Sequence, residues 1–200
     1  MRFPLKVSAA AGIYYHHSRG RAAPEPRHFG LARPEKERKQ SMATGVAEEL
    51  TQVVEAAAER LRAVNEAEAA AVPASGKWSR KQILGHLIDS ASNNHQRFVR
   101  AQEGNEFSGP RYEQEHWVGV QDYASSSWPE LIEFWRLYNR HLAHVIRRIP
   151  EERLNVSCRI GPAEPVTLGF VVEDYLTHLK HHLRQIDGEE TGPFVSKADI

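Results

Sequence analysis

An all-α four-helix bundle is the fold this sequence predicts, and three observations predict it. Four stretches carry apolar residues at alternating spacings of three and four, the period of one helical face. No stretch shows a convincing strand alternation. A long polar connection between the second and third stretches has the length of a crossover over a bundle end. With 200 residues and 40% hydrophobic content, the chain can bury one good core.

Residues 1–41 stand apart. They carry nine Lys/Arg and three Asp/Glu, a net of +6, which residues 42–200 reverse with 17 basic and 23 acidic side chains. The segment is rich in Pro, Arg and Gly and shows no helical stripe, so it is expected to be disordered. Lys6 and the run Tyr14-Tyr15-His16-His17 interrupt any signal-peptide core; an Arg-rich transit peptide is the weaker alternative. Met42 is expected to be the natural start, the preceding segment being an extension of the gene. Mass spectrometry of native protein beginning upstream of Met42 would refute that.

The first helix follows Thr44 as N-cap, with Val46, Leu50, Val53, Ala57, Leu61 and Val64 on one face. It frays after Asn65, and Pro73, Ser75 and Gly76 mark a turn. The second helix opens at Ser79, which forms a capping box with Gln82, and Trp78 just before it is placed as a hydrophobic staple. Its inward face is Ile83, His86/Leu87, Ser90, Asn94, Arg97/Phe98 and Ala101. Ser90 and Asn94 are odd in a plain core and suggest a wet or functional cavity.

Residues 103–127 form the long connection, in which Tyr112, His116 and Trp117 are candidates for a lid or pocket wall. The third helix begins with a capping box from Ser127 to Glu130, has Pro129 in its first turn, and buries Leu131, Trp135, Tyr138, Leu142, Val145 and Ile149 before Pro150 stops it. Leu154 to Pro165 reads as irregular or briefly extended. The fourth helix runs from about Thr167 to Asp187, with Gly188 as its C′ residue.

Composition excludes several classes. The 26 basic and 26 acidic residues balance, so no global field points to nucleic acid or to a membrane surface. No apolar run is long enough to span a bilayer. A single cysteine, Cys158, precludes an intramolecular disulfide, and a cytoplasmic location is the plain expectation.

The fourth helix carries the chemistry. Val171, Tyr175, His178, His182 and Ile186 share one face, so two histidines occupy positions where aliphatics are usual. At i and i+4 their imidazoles can converge on one ion. A third ligand is available from the second helix. His86 lies roughly 10 Å from the start of its helix, and His182 and His178 lie roughly 8 and 14 Å from the end of theirs, at 1.5 Å per residue. If the two helices are antiparallel neighbours, all three histidines fall at one level. Three neutral imidazoles suit Zn, Ni, Cu or Fe(II) better than Mg or Ca. Three protein ligands leave a position for water or substrate, the catalytic pattern. Asp89 and Asp174 are the candidates for orienting the rings from behind.

Blander alternatives stand beside this. A single inward histidine is more often a satisfied core residue, and His-x-x-x-His pairs also occur on surfaces. His181 points about 100° away from His182 and is expected to be solvated. His95 is off the inward face and His144 is expected to be exposed. His141, at the stripe border, is the reserve ligand, and His116 in the long connection is another. Asp89 and Asp174 can equally be solvated helix charges, and Cys158 is more plainly a small buried hydrophobe than a nucleophile.

The run Trp78-Ser79-Arg80-Lys81-Gln82-Ile83-Leu84-Gly85-His86-Leu87-Ile88-Asp89-Ser90, with Asn93-Asn94 and Arg97-Phe98, resembles the second helix of the DinB/YfiT-like superfamily. Tyr175 through His178 and His182 to Gln185-Ile186 resembles its second signature. The resemblance covers residues 44–188 and is closest to the bacillithiol S-transferase branch. It implies a DinB-like bundle over residues 42–190, followed by a C-terminal tail at 191–200, often assembled as a homodimer. It also implies a divalent metal on His86, His178 and His182, with Zn or Ni foremost and Fe or Mn next. In relatives of that branch the metal is thought to activate a low-molecular-weight thiol for attack on an electrophile.

The function expected is therefore a metal-dependent transfer of a low-molecular-weight thiol to a small-molecule electrophile, with no nucleic-acid or membrane partner. Asn94, Arg97 and Trp117 are expected to shape the substrate pocket. A metal-dependent hydrolase is the first rival. A non-catalytic stress-response bundle with a structural metal, closed by His141 or His116, is the second.

Overall fold

The computed structural model describes residues 41–74, 76–189, 191–194 and 196, all within the compact unit formed by residues 39–200. The disorder expected over residues 1–41 falls outside them, Ser41 excepted, as do Ser75 of the expected turn and most of the tail at 195–200. In chain order the elements are α1 (Met42–Arg62), α2 (Glu66–Ala70), α3 (Arg80–Arg100), β1 (Glu106–Gly109), α4 (Gln114–Gln121), α5 (Trp128–Arg147), β2 (Ser157–Ile160), β3 (Val166–Thr167) and α6 (Leu168–Ile186). The four long helices are the expected bundle.

The small sheet was not expected. β1 pairs parallel with β2, Glu106 opposite Ser157, and β2 pairs antiparallel with β3. Strands of two to four residues are too short for alternation to register as a pattern. The parallel pairing exists because α3 and α5 deliver β1 and β2 to the same end of the bundle.

Cross-helix contacts fix the directions. Arg80 Nε donates to the Ile186 carbonyl and the Phe98 ring meets Tyr175, so α3 and α6 run antiparallel. Arg136 pairs with Glu55 while Trp128 Nε1 donates to the Leu61 carbonyl, so α5 opposes α1. Lys81 reaches Ser126 and His95 reaches Tyr138, so α5 runs with α3. Two consecutive long helices are thus parallel, and the connection between them must return the chain along the whole bundle.

That connection is better ordered than its polar composition suggests, because α3 holds it at three positions one turn apart. Lys81, buried at the N-terminal end, donates to the carbonyls of Ser126 (2.7 Å) and Ala124 (3.3 Å) and pairs with Glu66. Gly85 lies against the Tyr123 ring so closely that a Cβ there would overlap it. Asp89 accepts from Tyr123 Oη at 2.7 Å and from Gln121 Nε2.

Four local expectations change. On α5, Tyr138 and Val145 are only half-buried, and the buried face runs through Leu131, Ile132, Trp135, Asn139, Leu142, Ala143 and Ile146. Ser41, not Thr44, caps α1, its hydroxyl accepting the Thr44 amide. The buried face of α1 is Ala43, Ala47, Leu50, Val54, Ala57, Ala58 and Leu61, with Val46, Val53 and Val64 only half-buried. The alanines, easily discounted as helix filler, allow close packing of α1 on its neighbours. At α5 the side chain of Ser127 makes no cap bond; the Trp128 amide is taken by the Glu66 carboxylate of α2 at 3.0 Å instead. Elsewhere the caps are as read. The Ser79–Gln82 box closes α3. Gly188, at φ +87°, ends α6, with its amide on the Gln185 carbonyl and that of Glu189 on the Arg184 carbonyl.

Candidate metal centre

The α3–α6 seam is where the polar residues of the inward stripe meet. His86, His178 and His182 are 1%, 2% and 9% exposed, so all three imidazoles are removed from water. One ring nitrogen of each falls within 4.8 Å of the others, and among the described residues this is the one such cluster of metal-ligating groups. The ring centroids stand 4.4 to 5.1 Å apart, each pair nearly edge-on.

The outward nitrogens fix which lone pairs face the centre. His182 Nδ1 lies 2.7 Å from Gln185 Oε1, a carbonyl oxygen that only accepts, so Nδ1 carries the proton and Nε2 is bare. Gln185 Nε2 lies 3.1 Å from His181 Nε2, so the amide bridges the two rings. His178 Nδ1 approaches Ser90 Oγ at 3.4 Å, leaving its Nε2 on the centre, 3.1 Å from His86 Nε2. Two nitrogens at that distance need one proton between them in the metal-free molecule. His86, His178 and His182 would offer a divalent cation three nitrogen donors in place of that proton, and the His86 proton would then belong on Nδ1, which is buried and makes no hydrogen bond. The donor set fits a borderline metal such as Zn or Ni.

Electrostatics favour neutral rings. Burial, reinforced by His182, pushes His86 down to about 3. Burial also takes His182 down to about 4, against the Gln185 bond that raises it. Burial first, then the neighbouring rings, hold His178 well below the usual histidine range. Neutral imidazole is the ligating form.

The structure places other predicted residues elsewhere. Asp89 and Asp174 do not orient the rings. Asp89 is committed to Tyr123 and Gln121, and burial raises its carboxyl to about 6. Asp174 accepts from Ser196. The ring partners are Ser90 and Gln185, neutral groups that the search for carboxylates passed over, although Gln185 stands at i+3 from His182 on the same helix. His141 is exposed and rings His95 at 5.1 Å; His116 is exposed on α4. Neither belongs to the cluster. His181 is 8% exposed rather than solvated.

A cavity of about 1190 Å³ opens over His178 and His182. Besides α6, its walls come mainly from three stretches: residues 73, 74 and 76–78; residues 111–115; and residues 188, 189, 191–194 and 196. Trp78 stands 5.2 Å from the His86 ring and Tyr112 stacks on the same ring at 6.4 Å. The residues expected to line it do not. Asn94 is fully buried, donating to the Ser90 carbonyl and accepting from Arg97, and Trp117 backs Tyr112 from outside the cavity at 5.2 Å. Asn94 and Arg97 lie roughly two and three turns past His86 along α3, too deep to reach it. Two of the lining carboxylates are engaged, Glu113 by Arg111 and Glu115 by Trp78 Nε1.

Comparison with known proteins agrees with this architecture. The family model of the DinB superfamily matches residues 48–186. Among solved structures, the chain is similar to YfiT from Bacillus subtilis, described as a probable metal-dependent hydrolase with an unusual four-helix bundle topology. The TM-score is 0.61 at 18% identity, over 82% of this chain and 90% of that one. No curated protein matches the sequence. The chain belongs to the DinB superfamily.

Proposed function

We propose that this DinB-superfamily chain is a metal-dependent enzyme in which His86, His178 and His182 hold one divalent ion, and that it transfers a low-molecular-weight thiol to an electrophile. The observation that carries the reading is the convergence of three neutral, buried imidazoles beneath a large cavity, with no fourth protein ligand beside them among the described residues. An ion held there would acidify a thiol or water that ligates it. Gln185 and Ser90 contact the Nδ1 atoms of His182 and His178, which leaves their Nε2 atoms turned toward the centre. Trp78 and Tyr112 cover His86 and exclude water from that side. The structural-metal alternative looks to a closing ligand such as His141 or His116, and neither belongs to the cluster.

Thiol transfer is favoured over hydrolysis by the walls of the cavity. Hydrolysis calls for a free general base poised over the centre; of the three lining carboxylates, Glu113 and Glu115 are each engaged by a neighbour, and Glu189, exposed just past the end of α6, is the one a hydrolase would have to use. The likeness to YfiT, described as a probable hydrolase, supports the rival. Protein purified without chelator should carry one ion per chain by elemental analysis, lost in His86→Ala and His182→Ala. The loaded protein should conjugate thiols from a low-molecular-weight panel to an electrophilic reporter such as monochlorobimane. Turnover of ester or amide substrates without thiol, and none with it, would replace this reading by hydrolysis.

A further inference from the structure

We infer that the segment after α6 forms a wall of the cavity, and that Phe194 limits the size of ligand that reaches the histidine centre. The inference rests on the metal-centre reading above. The segment lies beyond the family match, which ends at residue 186.

The argument starts from His181. One position before His182, it is turned about 100° away from it and should meet solvent, yet it is 8% exposed. What covers it is the chain returning along α6. Gly188, in the left-handed region that favours glycine, turns the chain back. Thr191 Oγ1 then reaches His181 Nε2 at 3.5 Å. The Phe194 ring stands 5.3 Å from His181 and 5.0 Å from His178, edge-on to the latter at 70°. Ser196 Oγ donates to the carboxylate of Asp174, one turn before His178. Later residues of the segment thus meet earlier residues of the helix, and the register is held at both ends by polar contacts.

Thr191, Phe194 and Ser196 line the same cavity as His178 and His182. The cavity is therefore bounded by aromatic rings on two sides, Trp78 and Tyr112 against His86 and Phe194 against His178. A ligand with a metal-binding head and an apolar body suits such walls, and the body's bulk is what Phe194 restricts.

The test uses the full chain loaded with Co²⁺, whose visible absorption reports ligands entering its coordination sphere. Acetohydroxamate and benzohydroxamate share a head and differ in bulk. Their dissociation constants are compared in wild type, Phe194→Ala, Phe194→Leu and a chain ended after Glu189. Benzohydroxamate should tighten by about 10-fold relative to acetohydroxamate in Phe194→Ala and in the shortened chain, the scale of discrimination an apolar wall provides, with Phe194→Leu between. A ratio within about 2-fold of wild type in both would overturn the inference and leave the metal centre standing. Weaker benzohydroxamate binding would overturn it too, because Phe194 would then be a contact and not a limit.

If wild type takes up no Co²⁺, the metal reading fails, and the metal-free protein decides the wall by itself. Carbethoxylation of His178 and His181 by diethyl pyrocarbonate, mapped by peptide mass spectrometry, should quicken in both variants. Unchanged rates would show that the segment does not cover them.

Discussion

The two seams of the bundle, α1 against α5 and α3 against α6, are built by the same rules and spend their burial differently. In the first, Ala43, Ala47, Leu50, Val54 and Leu61 face a helix that buries Trp128, Trp135, Leu142 and Ile146, and the ions stay at the edge, as in Arg136 with Glu55. In the second, positions of equal depth hold His86, Ser90, Asn94, Arg97, His178 and His182. Burying polar groups costs stability unless each finds a partner. The α1–α5 seam therefore supplies the folding free energy that the α3–α6 seam forgoes in holding a site. Members of one helical stripe can be core or chemistry, and hydrophobic periodicity alone does not separate them.

The largest effect expected is at Trp135, fully buried on α5. Trp135→Ala should lower unfolding free energy by about 3–5 kcal/mol, read as a lower urea midpoint, while metal per folded chain stays at the wild-type value. Loss of metal in step with stability would mean the two seams are not separable.

The second seam should show itself in pH. For the metal-free protein, His86 and His182 are depressed from 6.5 to about 3 and about 4, and His178 is depressed as well. Below about pH 6.5 the unfolded chain binds protons on these histidines that the folded chain refuses, so stability falls as pH drops toward 4, by about 1.4 kcal/mol per unit for each histidine. Asp89 acts with the opposite sign. Its folded value of about 6 lies above the unfolded 3.8, so between those values the folded state binds the extra proton and gains as pH falls. Asp89→Asn should remove that offset and steepen the loss by about 1.4 kcal/mol per unit between pH 4 and 6, measured by urea unfolding across that range. An unchanged slope would place the Asp89 titration elsewhere.

The smallest effect sharpens the comparison most. Gln185→Leu adds apolar bulk and removes the acceptor that fixes the His182 tautomer. Metal affinity should weaken about 10- to 100-fold while metal-free stability changes little, as competition with a chromophoric chelator and a thermal melt would show. A stability loss with unaltered affinity would make Gln185 an ordinary packing residue.

Much of this was legible in the residues. The four long helices, the Ser79–Gln82 box, the Gly188 stop and the level meeting of His86 with His178 and His182 all follow from spacing, because a helix fixes rise and facing by local geometry. Among the described residues no helix is long and apolar enough to cross a membrane, in line with the hydropathy of the chain. What spacing could not yield were contacts between segments far apart in sequence. Nothing near Asp89 says that Tyr123 and Gln121 will claim it. Nothing near His181 says that Phe194 will fold back over it, and nothing near Ser127 says that Glu66 will cap its helix.

The bundle and the three histidines are therefore legible from periodicity within one helix and a single assumption of antiparallel neighbours. Which partners contact the rings, which residues wall the cavity and which carboxylates are already engaged emerge from long-range packing. Those depend on where a crossover pinned to Lys81, Gly85 and Asp89, and a chain turned back at Gly188, come to rest. Loop closure leaves many such resting places open, and long-range hydrogen bonds and ring packing select one of them.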